Sequence, residues 1–257
     1  MEKKYWVPSI EKVDKIINII ANYPHQYRLI DLSKDLEINK SSLYSLLNTL
    51  ETLEWVKKEA DDTYTLGLRM GILGALYFSR FDLISTFSTE AVSTVKKLDE
   101  TVQFSILDGT DILYVAKKEG SSPVRLATDP GMKLPAHSTA MGKVHLSKYP
   151  FEQLQELYAG VPLLSRTSKT VNSLEKLWQQ IETIDDNGFI WEFEEAVDGF
   201  TCLAAPIKNQ ANDIIAAVSV TLLINRYDEK REIAEQEIID LAQRISLKAG
   251  FIPSASK

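Results

Sequence analysis

Cysteine, histidine and long apolar runs are scarce in this chain, and each scarcity excludes a class of protein. The single cysteine, Cys202, rules out an internal disulfide framework, and the three histidines are scattered without metal-ligand spacing. The longest apolar run, about 214–224, is too short to cross a bilayer, and Pro8 and charged residues stand where a signal peptide needs an apolar block. No glycine-rich nucleotide-binding loop occurs. We therefore expect a cytoplasmic protein without metal, cofactor or membrane partner.

Basic residues are also in the minority, since 29 Lys and Arg stand against 36 Asp and Glu and give a net charge of -7. This balance disfavours a protein that coats nucleic acid non-specifically, because phosphate neutralisation supplies most of that affinity. A small DNA-reading module is still compatible with it if the contact face is locally neutral or basic. With 257 residues, 44% of them hydrophobic, the chain has material for one large domain or two modest ones.

Three short helices are predicted within about the first fifty residues. Apolar residues recur at helical spacing after Ser9, the expected N-cap, and Pro24 stops this first helix. A second helix is expected over about 30–36, and a third follows Asn39 as its N-cap. The third helix is expected to bury Leu43, Leu46, Leu47 and Leu50.

A β-hairpin is predicted directly after these helices, with strands at 55–56 and 64–66 and a turn at Asp61-Asp62. The order helix, helix, helix, β-wing predicts a winged helix-turn-helix, whose third helix points its polar edge into the major groove. The residues predicted to contact DNA are Lys40, Ser41, Ser42, Tyr44, Ser45, Asn48 and Thr49 on the third helix, with Lys57 and Lys58 on the wing.

The alternative interpretation of this polar edge is a solvated face on a small helical bundle. An idle surface helix is usually rich in Glu and Lys, whereas Ser, Tyr, Asn and Thr donate to phosphates and base edges. The composition therefore favours the DNA-binding interpretation.

A linker helix is predicted in "LGLRMGILGALYFSRF", residues 66–81, where Leu66, Met70, Leu73 and Tyr77 recur at helical spacing. Gly67, Gly71 and Gly74 lie along another edge, and each interior glycine costs roughly 1 kcal/mol against alanine, so close helix packing is expected. A linker that needs a partner suggests a dimer. The predicted domains are 1–66 for DNA binding, 67–80 for the linker helix and 81–257 for the C-terminal domain.

The C-terminal part is predicted to be α+β, with an antiparallel sheet covered by helices. Asp108-Gly109 predicts a hairpin turn, and Gly188 is placed as a helix C-cap. The predicted helices cover about 83–98, 139–146, 151–158, 173–187 and 228–249, and strand-like segments occur at "FIWEF", "TCLAAPIK" and "IIAAVSVTLL".

Five segments, in this order and spacing, together resemble the IclR family of bacterial transcription regulators. They are "SIEKVDKIINII", "LIDLSKDLEINKSSLYSLLNTLETLEWVKKEADDTYTLG", "KLPAHSTAMGKVHLS", "DNGFIWEFEEAVDGFTCLAAPI" and "IIAAVSVT". The resemblance spans nearly the whole chain. It implies a winged helix-turn-helix, a linker helix and a GAF-like effector domain, assembled as a homodimer or a dimer of dimers. It also implies that a small metabolite, expected to be an organic acid, adjusts binding to double-stranded operator DNA.

The resemblance further implies an effector pocket around the loop and helix start at "LPAHSTAMGK". The N–H groups of Ala140 and Met141 would face a ligand carboxylate at a helix N-terminus. Ser219 and Thr221 lie two apart on a strand, so their hydroxyls share a face. The implied pocket residues are Leu126, Ala140, Met141, Glu192, Cys202, Ser219 and Thr221.

Three positions depart from the family pattern. Glu37 stands in the turn between the second and third helices, where glycine is common. Tyr44 and Ser45 stand where histidine and arginine are frequent, so a bidentate guanine reader is missing. The operator sequence therefore does not follow from the relatives.

Two other function classes compete with the regulator. A hydrolase would use His137, Cys202, Glu192 and Ser219, but no nucleophile elbow surrounds Cys202 or Ser219, so we expect no enzyme activity. A lone cysteine in "TCLAAPI" is typical of a small core residue, and His137 of an imidazole bonded to loop backbone. A sensor whose helix-turn-helix binds a protein is the other alternative, and the acidic balance favours it.

Overall fold

The computed structural model describes residues 6–79, 81–122 and 126–253, which divide into two compact units, Met1–Phe81 and Asp82–Lys257. Across this described part of the chain, no helix is both long and apolar enough to span a bilayer. The predicted role of 67–80 as a linker between domains stays a prediction.

The N-terminal unit has the predicted order of three helices followed by a hairpin. Its core is formed by apolar residues from all three helices and both strands, among them Ile16, Leu32, Leu47 and Val56. The hairpin is antiparallel and pairs Val56 with Leu66. The elements are α1 (Pro8–Asn22), α2 (Leu29–Asp35), α3 (Lys40–Thr52), β1 (Val56–Lys58), β2 (Tyr64–Leu66) and α4 (Leu68–Ser79).

The two predicted helix caps of this unit had different outcomes. Asn39 caps α3 as predicted, because its side-chain oxygen accepts the N–H of Ser42 at 2.8 Å. Ser9 is wrong as the cap of α1: the helix begins at Pro8, and Val7 is the N-cap without a side-chain bond. Proline suits the first helical position because its fixed φ is helical and its missing N–H would have no partner there.

The turn between α2 and α3 keeps a left-handed backbone without glycine. Glu37 has φ of +52°, and the chain re-enters the core at Ile38. The Ser33 hydroxyl donates to the Ile38 carbonyl at 2.7 Å and so closes the turn. A residue with a Cβ is strained in this conformation by about 1–2 kcal/mol.

The predicted glycine edge of the linker helix is only partly correct. Leu66 is the last residue of β2, and Gly67 precedes α4, where an added Cβ would lie 2.1 Å from the Glu54 carbonyl oxygen. Gly67 therefore allows the chain to pass close to the end of α3. Gly71 and Gly74 lie inside α4 and face open space in the described structure.

In the C-terminal unit, six strands of the described residues form one antiparallel sheet in the order β5-β4-β3-β8-β7-β6. This architecture confirms the predicted α+β class. The strands are β3 (Val102–Asp108), β4 (Asp111–Lys118), β5 (Lys133–Pro135), β6 (Ile190–Phe193), β7 (Phe200–Lys208) and β8 (Ile214–Leu223). The helices are α5 (Leu83–Leu98), α6 (Ala140–Leu146), α7 (Phe151–Leu157), α8 (Leu174–Ile181), α9 (Thr183–Asn187) and α10 (Tyr227–Lys248).

Three local predictions in this unit need correction. The hairpin turn is Gly109-Thr110 rather than Asp108-Gly109, because Asp108 pairs with Asp111 and the positive φ falls on Gly109. The segment before α6, expected as the loop that begins "LPAHSTAMGK", contains β5, a short edge strand. The predicted 173–187 helix is divided into α8 and α9 at Glu182, although Gly188 is its left-handed C-cap as expected.

The two faces of the sheet carry separate apolar cores. One face packs on α5 and α10, with Phe87, Phe104 and Leu241 among its buried residues. The other face packs on α6 to α9, with Met141 and Ala217 among its buried residues. Since successive side chains of a strand point to opposite faces of the sheet, neighbouring residues of one strand contact different groups of helices.

Replacing Glu37 with glycine is expected to stabilise the N-terminal unit by about 1 kcal/mol, because glycine adopts the left-handed conformation without a Cβ penalty. The measurement is the free energy of unfolding by denaturant. Glu37→Ala is the control, since alanine keeps the Cβ and should give no gain. Equal stability of the wild type and the glycine variant would contradict strain at this turn.

Candidate functional sites

The polar face of α3 is exposed, as the spacing of its leucines predicts. Leu43 and Leu47 are buried in the core, whereas 63% of Tyr44 on the opposite edge is exposed. The other predicted contact residues of this helix are also exposed: Lys40, Ser41, Ser42, Ser45, Asn48 and Thr49. This position on the third helix of a winged helix-turn-helix is the one that enters the major groove.

The side chains of this face differ in what they can offer to DNA. The Ser45 hydroxyl donates to the Ser41 carbonyl at 3.1 Å, and the Thr49 hydroxyl donates to the Ser45 carbonyl at 2.8 Å. These two hydroxyls therefore keep only acceptor positions free. Within the described residues, Tyr44 and Asn48 have no such side-chain bond, so they retain donors for base edges.

The wing lysines are paired with acidic neighbours. Lys57 Nζ lies 2.9 Å from Glu59, and Lys58 Nζ lies 2.6 Å from Asp62, whose carboxylate raises the pKa of Lys58. Phosphates would have to compete with these carboxylates for both lysines. Sequence reasoning did not foresee this competition, although acids at positions 59 and 62 were visible beside the lysine pair.

Strand register brings four of the predicted effector residues together. Glu192 on β6 pairs with Cys202 on β7, which pairs with Thr221 on β8, while Ser219 lies two residues before Thr221. All four therefore share the sheet face that packs on α6. The Cys202 sulfur lies 3.4 Å from the Thr221 hydroxyl oxygen.

Glu192 is buried and already bonded. Its Oε1 accepts the backbone N–H groups of Glu195 and Ala196, the latter at 3.2 Å. Burial raises the pKa of Glu192 to about 7, while these bonds and the nearby Lys143 oppose that rise. One oxygen of the predicted ligand acceptor thus holds the β6–β7 connection in place.

Cys202 has none of the features of a nucleophile. Burial raises the pKa of its thiol, and the neighbouring Glu192 carboxyl raises it further. A neutral thiol is a poor nucleophile, because the thiolate is the reactive form.

Helix α6 carries Ala140 and Met141, both buried, at its first two positions. Their N–H groups have no acceptor within the helix, and the Thr139 hydroxyl accepts the N–H of Gly142 at 3.1 Å. A Cβ on Gly142 would lie 2.1 Å from the Ala136 carbonyl oxygen, so glycine is required for this close approach. With seven residues, α6 has a small dipole, and any bound anion would depend on direct N–H contacts.

Sequence reasoning missed a buried ion pair between this helix and the β6–β7 connection. Lys143 has 1% of its side chain exposed, and its Nζ donates to Glu195. Burial lowers the pKa of Lys143, and the Glu195 carboxylate opposes that effect. The available clue was that "AMGKVHL" has no solvent-facing side, so its one lysine must be neutralised inside the protein.

The remaining predicted positions lie around the same sheet face. Leu126 is half-buried, and its carbonyl accepts the N–H of Thr128 at 2.9 Å. His137 is buried with Nε2 3.1 Å from the Leu164 carbonyl, as the backbone-bonded interpretation predicts, and burial lowers its pKa. No group of three or more His, Cys, Asp or Glu among the described residues could hold a metal ion.

Both units match models of one protein family. Residues 9–60 match the IclR helix-turn-helix domain, and residues 75–247 match the bacterial transcriptional regulator IclR C-terminal domain. The HTH-type transcriptional regulator KdgR of Escherichia coli is 27% identical over 250 residues, which cover 95% of this chain and 94% of KdgR. The regulator KipR of Bacillus subtilis is 28% identical over 244 residues, which cover 95% of this chain and 97% of KipR.

The fold is also that of a solved repressor. The crystal structure of the Agobacterium tumefaciens repressor BlcR superposes with a TM-score of 0.86 at 24% identity, covering 98% of this chain and all of BlcR. The two domain models together cover most of both units, and the relatives match over nearly their full length. The chain therefore belongs to the IclR family of bacterial transcriptional regulators.

Proposed function

We propose that this regulator reads operator DNA with α3 and that a small organic acid, bound between α6 and strands β6 to β8, adjusts its affinity for the operator. The observation that carries the proposal is the exposed polar face of α3, opposite the buried Leu43 and Leu47. In this proposal, Tyr44 and Asn48 are the base readers, because their donors are not used within the helix. Ser45 and Thr49 serve as acceptors or van der Waals contacts.

The electrostatics of this unit favour selective over general DNA binding. Acidic residues outnumber basic ones in the segment 6–66, and the two wing lysines are neutralised by Glu59 and Asp62. Sequence-independent affinity depends on cations that replace counterions at phosphates. Affinity for random DNA is therefore weak, and hydrogen bonds to base edges supply most of the discrimination.

The effector site combines two kinds of polar group. A ligand carboxylate would accept the N–H groups of Ala140 and Met141, while the rest of the ligand would lie against Ser219, Thr221 and Glu192. Leu126 would supply an apolar contact and Cys202 a small neutral one. The ligand regulates DNA binding only if it binds the DNA-competent and incompetent arrangements with different affinity, a coupling of typically about 1–3 kcal/mol.

The exposed apolar side chains of α4 support assembly as a homodimer or a dimer of dimers. Leu68 is 70% exposed, and Ile72, Leu73 and Leu76 are exposed beside it. An apolar stripe of this length on a soluble surface is typical of a protein contact. Gly71 and Gly74 would let a second helix approach closely.

A protein partner for α3 is the second candidate, and the neutralised wing favours it. It predicts weak binding to every duplex with little salt dependence. The hydrolase alternative has no support, since the family consists of transcriptional regulators and the Cys202 thiol is held neutral.

Tyr44→Ala and Asn48→Ala are each expected to weaken operator binding by about 1–3 kcal/mol while leaving binding to a scrambled duplex nearly unchanged. Affinity is measured across a salt series on the DNA upstream of the protein's own gene. Asn18→Ala, an exposed asparagine of α1, is the matched control. Equal losses on operator and scrambled DNA would exclude the groove assignment, and indifference of the wild type to both duplexes would favour the protein-partner candidate.

Glu59→Gln is expected to strengthen binding to all duplexes, because it frees Lys57 for phosphate while the amide oxygen still accepts the Thr65 hydroxyl. The log–log salt slope should steepen by about 0.9 for each freed lysine. In a Lys57→Ala background the same change should give little of this gain. An unchanged salt slope in the single variant would mean that the wing does not contact phosphate.

Glu192→Gln is expected to flatten the pH dependence of stability. The folded pKa of Glu192, about 7, lies above its unfolded value of about 4.5, so its stabilisation is complete below pH 4.5 and is lost as pH rises through 7. That loss amounts to about 3 kcal/mol in the free energy of unfolding. Denaturant titrations between pH 5 and 8 measure it.

Glu194→Gln is the control for this measurement. Lys169 holds the pKa of Glu194 below its usual range, so its contribution is lost only in more acidic solution. Its variant should therefore follow the wild type between pH 5 and 8. If Glu192→Gln also follows the wild type, Glu192 does not titrate in this range.

A further inference from the structure

Gln103 lies on the sheet face that packs on α6. Together with Ser219, Thr221, Cys202 and Glu192 it forms the polar wall of the proposed effector site. It is 2% exposed on β3, where it pairs with Ser219 of β8. Its Oε1 lies 3.4 Å from both the Ser219 and the Thr221 hydroxyl oxygens. Its Nε2 donates to the Thr128 hydroxyl oxygen.

The surrounding bonds fix the direction of this amide. The Thr128 hydroxyl lies 3.5 Å from the Leu126 carbonyl, which can only accept a hydrogen. With its hydrogen directed to Leu126, the Thr128 oxygen accepts a hydrogen from the amide. Nε2 faces Thr128, and Oε1 faces the two hydroxyls of β8.

This direction determines what the wall offers to a ligand. Ser219 and Thr221 both donate their hydrogens to Gln103, so only lone pairs remain on their oxygens. Cys202 adds no free donor, because its thiol has two acceptors within reach, the Thr221 oxygen at 3.4 Å and the Glu192 carboxyl. Burial raises the pKa of the neighbouring Glu192 to about 7, so above that pH it also accepts, through its carboxylate, and the wall is a row of acceptors.

We propose that Gln103 is a positioning residue that sets the hydrogen-bond polarity of the effector site, and that the effector is a hydroxylated carboxylic acid whose hydroxyl donates to Ser219 or Thr221. The proposal rests on the proposed function, since it concerns the same site. A carbonyl oxygen in the place of that hydroxyl would face lone pairs and find no donor. Buried acceptors left without a donor disfavour such a ligand, as does the lost bond.

Matched ligand pairs test this polarity directly. The probes are lactate and pyruvate, 3-hydroxybutyrate and acetoacetate, and gluconate and 2-oxogluconate, each titrated calorimetrically into the full-length protein. The hydroxy member of a pair is expected to bind at least about tenfold more tightly than its oxo partner. The double variant Ser219→Ala, Thr221→Val removes both acceptors and should remove most of this preference, which assigns the binding to the site.

Two variants test the role of Gln103. Gln103→Leu frees both β8 hydroxyls to donate, so the preference between paired probes should fall to about twofold or less. Thr128→Val removes the acceptor that fixes the amide and should also relax the preference, while Thr128→Ser keeps the hydroxyl and should retain it. The Thr128 pair decides the question if the leucine variant fails to fold, because valine and threonine have nearly the same shape.

Each outcome separates the inference from the function on which it rests. Equal or tighter binding of oxo probes, lost in the Ser219→Ala, Thr221→Val double variant, would overturn the polarity inference and leave the effector site intact. A hydroxy preference that survives in both Gln103→Leu and Thr128→Val would overturn the role of Gln103. Binding of no probe would overturn both the inferred ligand class and the carboxylate site, whereas operator binding would stand on its own assay.

Discussion

Lys143 lies inside the protein, and the carboxylate of Glu195 is what makes its charge tolerable there. Every residue of α6 is buried, so the lysine cannot reach solvent, and an unpaired buried charge costs several kcal/mol. Glu195 also accepts the Val171 N–H at 3.0 Å, while its own N–H donates to Glu192. One ion pair therefore joins α6, the β6–β7 connection and the loop before α8, and the two walls of the proposed effector site cannot separate without breaking it.

The N-terminal unit solves a different electrostatic problem. The exposed polar face of α3 is almost uncharged, and each of the two wing lysines is paired with one carboxylate. Such a surface gains little from the phosphate backbone, so binding to the many non-specific sites of a genome is weak. In the proposed mode of binding, the regulator thereby gives up general affinity and depends on geometry at a few base edges.

Local sequence rules predicted the elements well wherever neighbouring residues decide the outcome. The leucine spacing of α3, the Asn39 cap and the shared face of Ser219 and Thr221 all follow from helical or strand periodicity. The Ser9 cap failed because two neighbouring residues compete for the helix start, and Pro8 suits the first helical position better. The division at Glu182 and the edge strand β5 depend on packing against distant parts of the chain.

The site was predictable in outline but not in its polarity. The resemblance implied four of its residues as pocket positions, and strand alternation placed two of them, Ser219 and Thr221, on one face. The register of β6, β7 and β8 brings all four together. Gln103 and Lys143 escaped because each acts through a partner far away in sequence. Gln103 contacts Ser219 and Thr221, which follow it by 116 and 118 positions. Lys143 contacts Glu195, which follows it by 52 positions. No local pattern marks such pairs.

The pairing of β3 with β8 has a consequence for how the chain is made. Val102 and Val220 are neighbours at the middle of the sheet, although they are far apart in the sequence. During synthesis, the hairpin of β3 and β4 leaves the ribosome with the edge of β3 that faces β8 unpaired until β8 follows. The sheet of the C-terminal unit thus cannot be completed before β8 has been synthesised, and until then the newly made first half presents an unpaired strand edge.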